Sequence, residues 1–383
     1  MRGRKDKRNK KQETRNKKQE TVNNSINMKK LITTTLLIGL LLFPAAGQKK
    51  IVNLPDLPGY VTLKCDFHLH TVFSDGNVWP LMRIAEAYRE GLDAIAITDH
   101  IEYTPNKEYV PVDLNAAWKI AQNAAKEGNL ILVHGAEITR SMPPGHLNAL
   151  FITDAKVLVK DSVYSVIEEA VKQGAFIQWN HPGWKSQQPD GIPRMYSIHY
   201  RLIKNGYLHG IEFGNDEDYY PLVLTFCNAN NLAVMCNSDN HGVMSETFAL
   251  PEFSHRPMTL VFAKERTSES LKEALFAGRT LAYTDEILAG REEFAKPFFY
   301  QCISVGKPYL ENEKSIYFEV TNKSDIPFYL VNGPAGATPS INLAPNSVTR
   351  IVLSKKVTVP LIYDVKNVMT GENEVLKIEL KYK

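Results

Sequence analysis

The sequence predicts an α/β protein in which a distorted (β/α)7 TIM-like barrel is followed by a small all-β, immunoglobulin-like domain. Between residues 60 and 284, short apolar runs alternate with amphipathic helical patterns, which is typical of parallel strands joined by crossover helices. About seven such units without a Gly-x-Gly-x-x-Gly turn favour a closed barrel over an open dinucleotide-binding sheet. From residue 296 onward, alternating runs broken by Asn, Gly and Pro predict a β-sandwich.

The predicted elements follow one another at short intervals. Barrel strands are predicted at Val61–Phe67, Asp93–Thr98, Leu130–Ile138, Leu147–Ile152, Ala175–Trp179, Gly210–Phe213, Leu232–Asn237 and Met258–Phe262. Helices are predicted at Trp79–Glu90, Leu114–Lys126, Val163–Gln173, Met195–Lys204, Tyr219–Asn228 and Ser270–Ala277. The charged segment Ile287–Ala295 predicts a linker, so the barrel should span residues 48–290 and the sandwich residues 296–383. We expect a packing or oligomerisation role for the sandwich.

The first 47 residues are not expected to belong to the folded body. Residues 1–27 contain a repeated Asn-Lys-Lys-Gln-Glu-Thr and almost no apolar side chains, which predicts a disordered basic leader or a mis-assigned start. Residues 28–47 have the layout of a secretory signal peptide, and their apolar run is shorter than the roughly 20 residues of a membrane span. We therefore expect export, periplasmic or extracellular, with no transmembrane segment in the mature chain.

Charge and cysteine content narrow the function classes. Residues 1–47 carry 12 of the 45 lysines and arginines but only 3 of the 42 acidic residues, so the remainder is net acidic despite a formal net charge of +3. An acidic body argues against a stable nucleic-acid partner. Cys65, Cys227 and Cys236 lie in apolar patterns, where a free thiol behaves as a small hydrophobic group, so we expect no essential disulfide.

Residues of the types that bind metals stand where the predicted strands end. His68 and His70 are two residues apart and should therefore point to the same side of the first strand. Asp75 follows this His pair by a short loop, and His146 opens the fourth strand. Further such residues stand at the ends of later strands: His100, Glu137, His181, Asp239 and His241. The carboxyl ends of barrel strands share one face, so this recurrence favours a multinuclear metal site over scattered core and surface histidines.

The other histidines are expected to be structural or surface residues. His134 precedes Glu137 by three residues, an odd offset that turns it away from the barrel interior. His199, His209 and His255 lie in helix or loop patterns that offer no carboxylate partner.

Taken together, these segments resemble the PHP (polymerase and histidinol phosphatase) family of metal-dependent phosphoesterases. The matching segments are Asp66–Thr71, Ser74–Gly76, Thr98–His100, Gly135–Ile138, Gly145–Asn148, Asn180–Pro182 and Ser238–His241. The exported layout, the Gly145–Leu150 run and the C-terminal β region look most like secreted bacterial PHP phosphodiesterases. The resemblance implies a distorted seven-stranded barrel that holds two or three divalent ions, Zn, Mn or Fe.

The resemblance also implies a role for each residue. Glu137 would bridge two ions. The remaining ligands would be His68, His70 and Asp239 for one ion, His146 and His181 for a second, and Asp75, His100 and His241 for a third. Many trinuclear members have His where this chain has Asp75. Glu137, Asp239 and His241 are the expected catalytic residues, and Asp66 and Asp99 would orient ligand imidazoles or serve packing alone.

The expected function is that of an exported phosphodiesterase acting on small phosphodiesters. Closely spaced divalent ions lower the pKa of a bridging water from about 15.7 toward 7, which yields hydroxide for in-line attack on phosphorus. Arg140 and Arg279 are candidates for binding phosphate oxygens, with a surface role or an ion pair as the alternative. Trp184 would wall the substrate pocket or simply pack. The alternative functions are a phosphomonoesterase or nuclease of the same family, and a non-catalytic metal- or carbohydrate-binding exported module.

Overall fold

The computed structural model of the 383-residue chain describes residues 52–248, 255–357 and 359–382. The predicted basic leader (residues 1–27) and signal peptide (residues 28–47) lie outside these ranges. Within them, none of the helices combines the length and apolarity that a membrane span requires. All four cysteines are free thiols buried in the protein.

The described residues up to 302 form the barrel and the elements that cover it. The strands are β1 (Val61–Asp66), β2 (Ala94–Ile97), β3 (Ile131–Ile138), β4 (Leu147–Leu150), β5 (Phe176–Trp179), β6 (Gly210–Asn215), β7 (Asp218–Tyr219), β8 (Ala233–Asn237), β9 (Met258–Ala263), β10 (Thr280–Thr284) and β11 (Ile287–Ala289). The helices are α1 (Pro80–Arg89), α2 (Ala116–Glu127), α3 (Val163–Lys172), α4 (Ser197–Lys204), α5 (Leu222–Asn230), α6 (Met244–Thr247), α7 (Ser268–Phe276) and α8 (Glu292–Cys302).

The barrel strands neighbour one another in the order β1-β2-β3-β4-β5-β6-β8. Pairing is parallel within β1, β2 and β3 and within β5, β6 and β8, as predicted. Strand β4 is antiparallel to both neighbours, so the prediction of parallel pairing is wrong there. The physical reason is the short connection from β3 to β4, which is too short for a crossover helix and long enough for a hairpin.

The ring closes through side chains between β8 and the antiparallel pair β9 and β10. Strand β9 pairs antiparallel with β1 and with β10. The backbone N–H groups of Cys236 and Val234 donate to the hydroxyls of Thr259 and Thr280 at 2.8 and 3.0 Å. Threonine hydroxyls therefore replace a backbone ladder at this seam, which accounts for the distorted shape of the barrel.

The C-terminal residues form the predicted sandwich. Its strands are β12 (Ile303–Val305), β13 (Leu310–Glu311), β14 (Ser315–Asn322), β15 (Phe328–Val331), β16 (Ile341–Leu343), β17 (Ser347–Ser354), β18 (Ile362–Gly371) and β19 (Glu374–Glu379). One sheet joins β12, β13 and β17 to β14, and the other joins β16, β15, β18 and β19. Alternate residues such as Phe318, Val320 and Leu330 are buried between the sheets, as the period of two requires.

The segment predicted as a linker forms ordered structure instead. Strand β11 pairs antiparallel with β10 and parallel with β18 of the sandwich, with Leu288 opposite Val368. Helix α8 follows at once and buries Phe298 and Phe299 in the cluster that also contains Phe328 of the sandwich. Burial of these apolar side chains stabilises the junction, while Glu292 and Glu293 stay exposed and Arg291 donates to the carbonyls of Ala277 and Gly278.

Candidate metal centre

Strand ends bring nine residues of metal-binding type to one face of the barrel. Their chain positions are His68, His70 and Asp75 after β1, His100 after β2, Glu137 within β3, His146 before β4, His181 after β5, and Asp239 and His241 after β8. His146 precedes its strand, whereas Glu137 lies near the end of β3 and the others follow their strands. Because β4 runs antiparallel to β3, its first residues lie beside the last residues of β3, and His146 reaches the same face.

Glu137 lies at the middle of the cluster and is fully buried. Its Oε1 is 2.9 Å from Nδ1 of His146 and 3.6 Å from Nε2 of His68 and of His181. Its Oε2 is 2.6 Å from Nδ1 of His100. Burial by itself raises the pKa of this carboxyl, but the facing imidazoles of His100, His146 and His68 hold it well below the usual range.

Asp239 contacts a second group of imidazoles. Its Oδ1 is 3.1 Å from Nε2 of His68 and 3.0 Å from Nε2 of His70, and its Oδ2 is 3.8 Å from Nε2 of His181. Although burial opposes ionisation, the neighbouring histidines, His68 first, lower the pKa of the Asp239 carboxyl. The carboxylate is therefore held ready as an anionic ligand.

Asp75 gathers a third group at the outer side of the cluster. Its Oδ1 lies 3.3 Å from Nε2 of His241, 3.4 Å from Nε2 of His100 and 3.8 Å from Nδ1 of His70. His100 contacts Glu137 as well as Asp75, so it is placed to serve the central or the outer group.

The donor atoms fit bound cations. Four sets of ligand atoms each lie within 4.8 Å of one another: His70, Asp75, His100 and His241; His68, Glu137 and His181; His68, His70 and Asp239; and His100, Glu137 and His146. Among these, Nε2 of His68 and of His70, Oε2 of Glu137 and Oδ1 of Asp239 are buried without a hydrogen-bond partner. Buried lone pairs that face one another without a hydrogen-bond donor destabilise the fold unless a cation binds them. Imidazole and carboxylate ligands together suit Zn²⁺, Mn²⁺ or iron.

Comparison with known proteins adds independent observations. Residues 303–381 match the family model of an Ig-like domain. An uncharacterised protein of Methanocaldococcus jannaschii is 30% identical over 173 residues, which are 40% of this chain and 77% of that protein. The crystal structure of a two-domain protein from Bacteroides vulgatus, described as containing a predicted PHP-like metal-dependent phosphoesterase, is 38% identical, with a TM-score of 0.84 over 87% of this chain and 98% of that one. The chain belongs to the PHP-like metal-dependent phosphoesterases.

The PHP barrel contains a buried carboxylate that sequence reasoning missed. Glu212, in β6, is fully buried, and its Oε1 lies 2.9 Å from Nδ1 of His68. It also accepts from the backbone N–H of His181 at 2.7 Å and from three side-chain amides. The Glu212 carboxylate accepts a hydrogen bond from Nδ1–H of His68, which leaves the lone pair of Nε2 facing Glu137. The sequence does contain one sign of this role, because Glu212 is a single charged residue within the apolar run Gly210–Phe213.

Asp66 and Asp99 have other partners than the imidazoles they were expected to orient. Asp66 accepts from the N–H and hydroxyl of Ser238 at 3.1 and 2.6 Å, and from Arg256 at 3.0 Å. Asp99 accepts from the N–H and hydroxyl of Thr71, both at 2.7 Å. The side chain of Ser74 connects Asp99 to a ligand, since its Oγ donates to Asp99 at 2.8 Å and lies 3.4 Å from Nδ1 of His70. Both carboxylates fasten the loops of the PHP barrel that carry the ligands.

A buried arginine joins two ligand loops of the PHP barrel. Arg83, in α1, donates to the carbonyl of His70 at 2.9 Å, to the carbonyl of Asn240 at 2.7 Å and to that of Gly242 at 2.8 Å. Its charge is balanced by Glu86 at 2.9 Å, which is also buried. The Arg83 guanidinium thus fixes the loop after β1 relative to the loop after β8.

Two candidate ligands lie on left-handed backbone. The φ angle is 27° at His181 and 49° at Asp239, values that residues other than glycine rarely adopt. Such positions cost on the order of 1 to 3 kcal/mol and cluster at functional sites. Hydrogen bonds hold them here, since the N–H of His181 donates to Glu212 and the carbonyl of Asp239 lies 2.8 Å from Nδ1 of His241.

Each of the two arginines proposed to bind phosphate pairs with a carboxylate that is not a candidate ligand. Arg140 forms an ion pair with Glu102 at 2.8 Å and donates to two backbone carbonyls. Arg279 pairs with Glu273 and lies over the ring of Tyr60, which precedes β1. The cluster follows β1, so the six residues of this strand, roughly 20 Å of extended chain, separate Arg279 from it.

The remaining histidines pack as structural residues. The aromatic partners of His134, His199, His209 and His255 are Trp118, Trp179, Phe176 and Tyr283, at ring-centroid distances of 4.2, 4.0, 5.4 and 3.9 Å. Burial lowers the pKa of the first three to about 4, so they are neutral at physiological pH. Trp184, by contrast, lies at the rim of the PHP centre.

Proposed function

We propose that this PHP phosphoesterase is a phosphodiesterase that hydrolyses small phosphodiesters. The main support for a hydrolytic function is that several imidazoles converge on Glu137 and Asp239. Ligand atoms of both the imidazoles and the carboxylates are buried there without a hydrogen-bond partner. His68, His70 and Asp239 would hold one ion, His146 and His181 a second with Glu137 between them, and Asp75, His100 and His241 a third. When bound, divalent ions supply Lewis acidity that activates water near neutral pH and offsets charge on the phosphoryl oxygens.

The chain's own residues orient the donor atoms. Glu212 fixes the protonated nitrogen of His68, and the carbonyl of Asp239 does the same for Nδ1 of His241. In each ring the other nitrogen then faces a carboxylate of the cluster, Glu137 or Asp75. We assign the catalytic role to Glu137, Asp239 and His241 on this basis.

The preference for a diester is supported by an acidic turn beside the cluster. Asp216, Glu217 and Asp218 follow β6, and the N–H of Asp216 donates to the carbonyl of Asn237 at 3.3 Å. Burial and then the negative charge of Asp239 raise the pKa of Asp216 to about 6, so the two carboxylates repel each other. A monoanionic phosphodiester meets less repulsion here than a dianionic monoester or a polyanionic nucleic acid.

An assay with two chromogenic substrates tests the proposal. Protein of measured metal content, supplemented with Mn²⁺, Zn²⁺ or Fe²⁺, should hydrolyse bis(p-nitrophenyl) phosphate faster than p-nitrophenyl phosphate. Glu137→Gln should lower diester turnover by at least about a hundredfold, because it removes the central anion. Glu269→Gln, an exposed change on α7, is the matched control and should leave turnover unchanged.

The same assay separates the alternatives. A preference for the monoester would favour a phosphomonoesterase, and turnover of polynucleotides alone would favour a nuclease. No turnover of either ester by metal-loaded protein would favour a binding module. Export is part of the proposal, supported by the signal-peptide pattern of residues 28–47. N-terminal sequencing of the protein secreted by the native cell should give a start near residue 48.

A further inference from the structure

Two exposed aromatic rings stand at the rim of the metal centre. Tyr103 follows His100 by three residues, and Trp184 follows His181 by the same offset. The Tyr103 ring is 5.8 Å from the His100 ring at an interplanar angle of 71°, and the Trp184 ring is 5.3 Å from the His181 ring at 65°. Tyr103 is 51% exposed and Trp184 41% exposed, so each ring rests an edge or face on a candidate ligand and presents the rest to solvent.

The two rings contact different histidines of the cluster. The ring of His146 lies 5.7 Å from that of Trp184 and 5.8 Å from that of His100. His100 and His146 share one ligand set with Glu137, and His181 shares another. Tyr103 therefore follows a ligand after β2 and Trp184 a ligand after β5, and in the strand order β3 with Glu137 lies between these two strands.

Single exposed aromatic side chains are ordinary on protein surfaces and need no ligand to explain them. Tyr200 on α4, which is 56% exposed, is such a residue. Tyr103 and Trp184 differ because both contact candidate metal ligands and stand at matching offsets after two strand ends. An exposed ring at such a place offers a flat face to a substrate held at the ions, and stacking on it is favourable for any planar group.

We propose that Tyr103 and Trp184 bind the two ester substituents of the substrate, and that the preferred phosphodiester carries an aromatic or heteroaromatic ring on each. The inference rests on the proposed phosphodiesterase function. A phosphodiester has one substituent on either side of phosphorus, and the two rings follow strands β2 and β5, which flank β3 with Glu137 in the strand order. Because the turn after β6 is acidic and would repel anions, we expect these substituents to carry no further negative charge.

The test compares two esters that release the same p-nitrophenolate, bis(p-nitrophenyl) phosphate with two rings and methyl p-nitrophenyl phosphate with one. Each variant is compared with the wild-type protein on the same ester, so intrinsic reactivity cancels. Of Tyr103→Leu and Trp184→Leu, one should lower kcat/KM about tenfold on both esters, because it binds the leaving ring. The other should lower it about tenfold on the two-ring ester alone.

Conservative variants and a metal measurement complete the design. Tyr103→Phe and Trp184→Phe keep a flat ring and should stay within about threefold of the wild type, and Tyr200→Leu should equal it. Leucine variants that match the wild type on both esters would overturn the inference, and so would leucine variants that lose activity together with bound metal. Wild-type protein that cleaves only p-nitrophenyl phosphate would refute the diesterase proposal. The leucine variants, assayed on that monoester and on methyl phosphate, would then still test whether these residues bind a ring.

Discussion

At the scale of single residues, the centre depends on a carboxylate that is not itself placed to bind an ion. Glu212 is fully buried and accepts hydrogen bonds from His68, Gln178, Asn237, Asn215 and the backbone of His181. An ionised group in such a place is tolerated only because every lone pair has a donor. Its function is therefore to fix the orientation and tautomer of the histidines that face Glu137.

Replacing this carboxylate tests that function. Glu212→Gln puts an amide NH₂ opposite groups that themselves donate, so metal affinity should fall about 10- to 100-fold while the fold persists. The measurement is metal content by atomic spectroscopy, together with titration of apo-protein with Zn²⁺ or Mn²⁺. Glu269→Gln on α7 is the matched control. An unchanged affinity in Glu212→Gln would show that the orientation of His68 is set by other contacts.

Sequence reasoning could find the nine candidate ligands because each follows or opens a strand at a recognisable position. Glu212 was harder, because one acidic residue in a strand has no motif, and most of its partners lie in β5 and β8 or in the loops after β1 and β5. The partners of Asp66 were out of reach for a similar reason. Its hydrogen bonds to Ser238 span 172 positions along the chain, and nothing local encodes them.

At the scale of elements, helix α1 faces the barrel with charged residues. Of its residues Met82, Ile84, Ala85 and Tyr88, which share an apolar helical pattern, only Ile84 is buried. Arg83 and Glu86 occupy the inner face, because the carbonyls of the loop after β8 need donors that an apolar side chain cannot supply. Periodicity alone cannot identify a buried ion pair.

Breaking that ion pair should lower both the free energy of unfolding and the amount of bound metal. Arg83→Met leaves Glu86 buried without its cationic partner and removes a hydrogen-bond donor from three backbone carbonyls. The free energy of unfolding should therefore fall by about 3 to 5 kcal/mol. The double variant Arg83→Met/Glu86→Gln should recover part of that loss. Urea denaturation with parallel metal analysis measures both effects, and the exposed Arg89→Met on the same helix is the control. Equal stability of Arg83→Met and Arg89→Met would contradict this account.

At the scale of the whole molecule, the barrel and the sandwich are joined by a pair of hydrogen-bonded strands and by one apolar cluster. Strand β11 pairs with β18, and Phe262 of the barrel belongs to the same buried cluster as Phe299 of α8 and Phe318 of the sandwich. The sequence predicted both folds, but it placed a linker where this junction forms. Alternation within each part is a local signal, whereas docking between parts depends on surfaces that meet only after folding.

A substitution in the sandwich should therefore destabilise the barrel. All four tryptophans, at positions 79, 118, 179 and 184, lie in the barrel, so their fluorescence reports its unfolding. Phe318→Ala removes a fully buried ring and should lower the free energy of unfolding seen by this signal by about 3 to 5 kcal/mol. Val348→Ala, at an exposed position of β17, should not change it. If the tryptophan midpoint were the same in both variants, the two parts would unfold independently.

The left-handed backbone at His181 and Asp239 has a consequence for any survey of this centre by alanine scanning. At these two positions alanine would delete the donor atom and would also tolerate the left-handed torsion angles less well than histidine or aspartate does, so the measured loss would mix two effects. Asparagine at Asp239 tolerates that conformation and isolates the chemistry, and glycine at His181 removes the imidazole without the conformational penalty. A ranking built on alanine alone would overstate both residues relative to His146, whose own φ is ordinary.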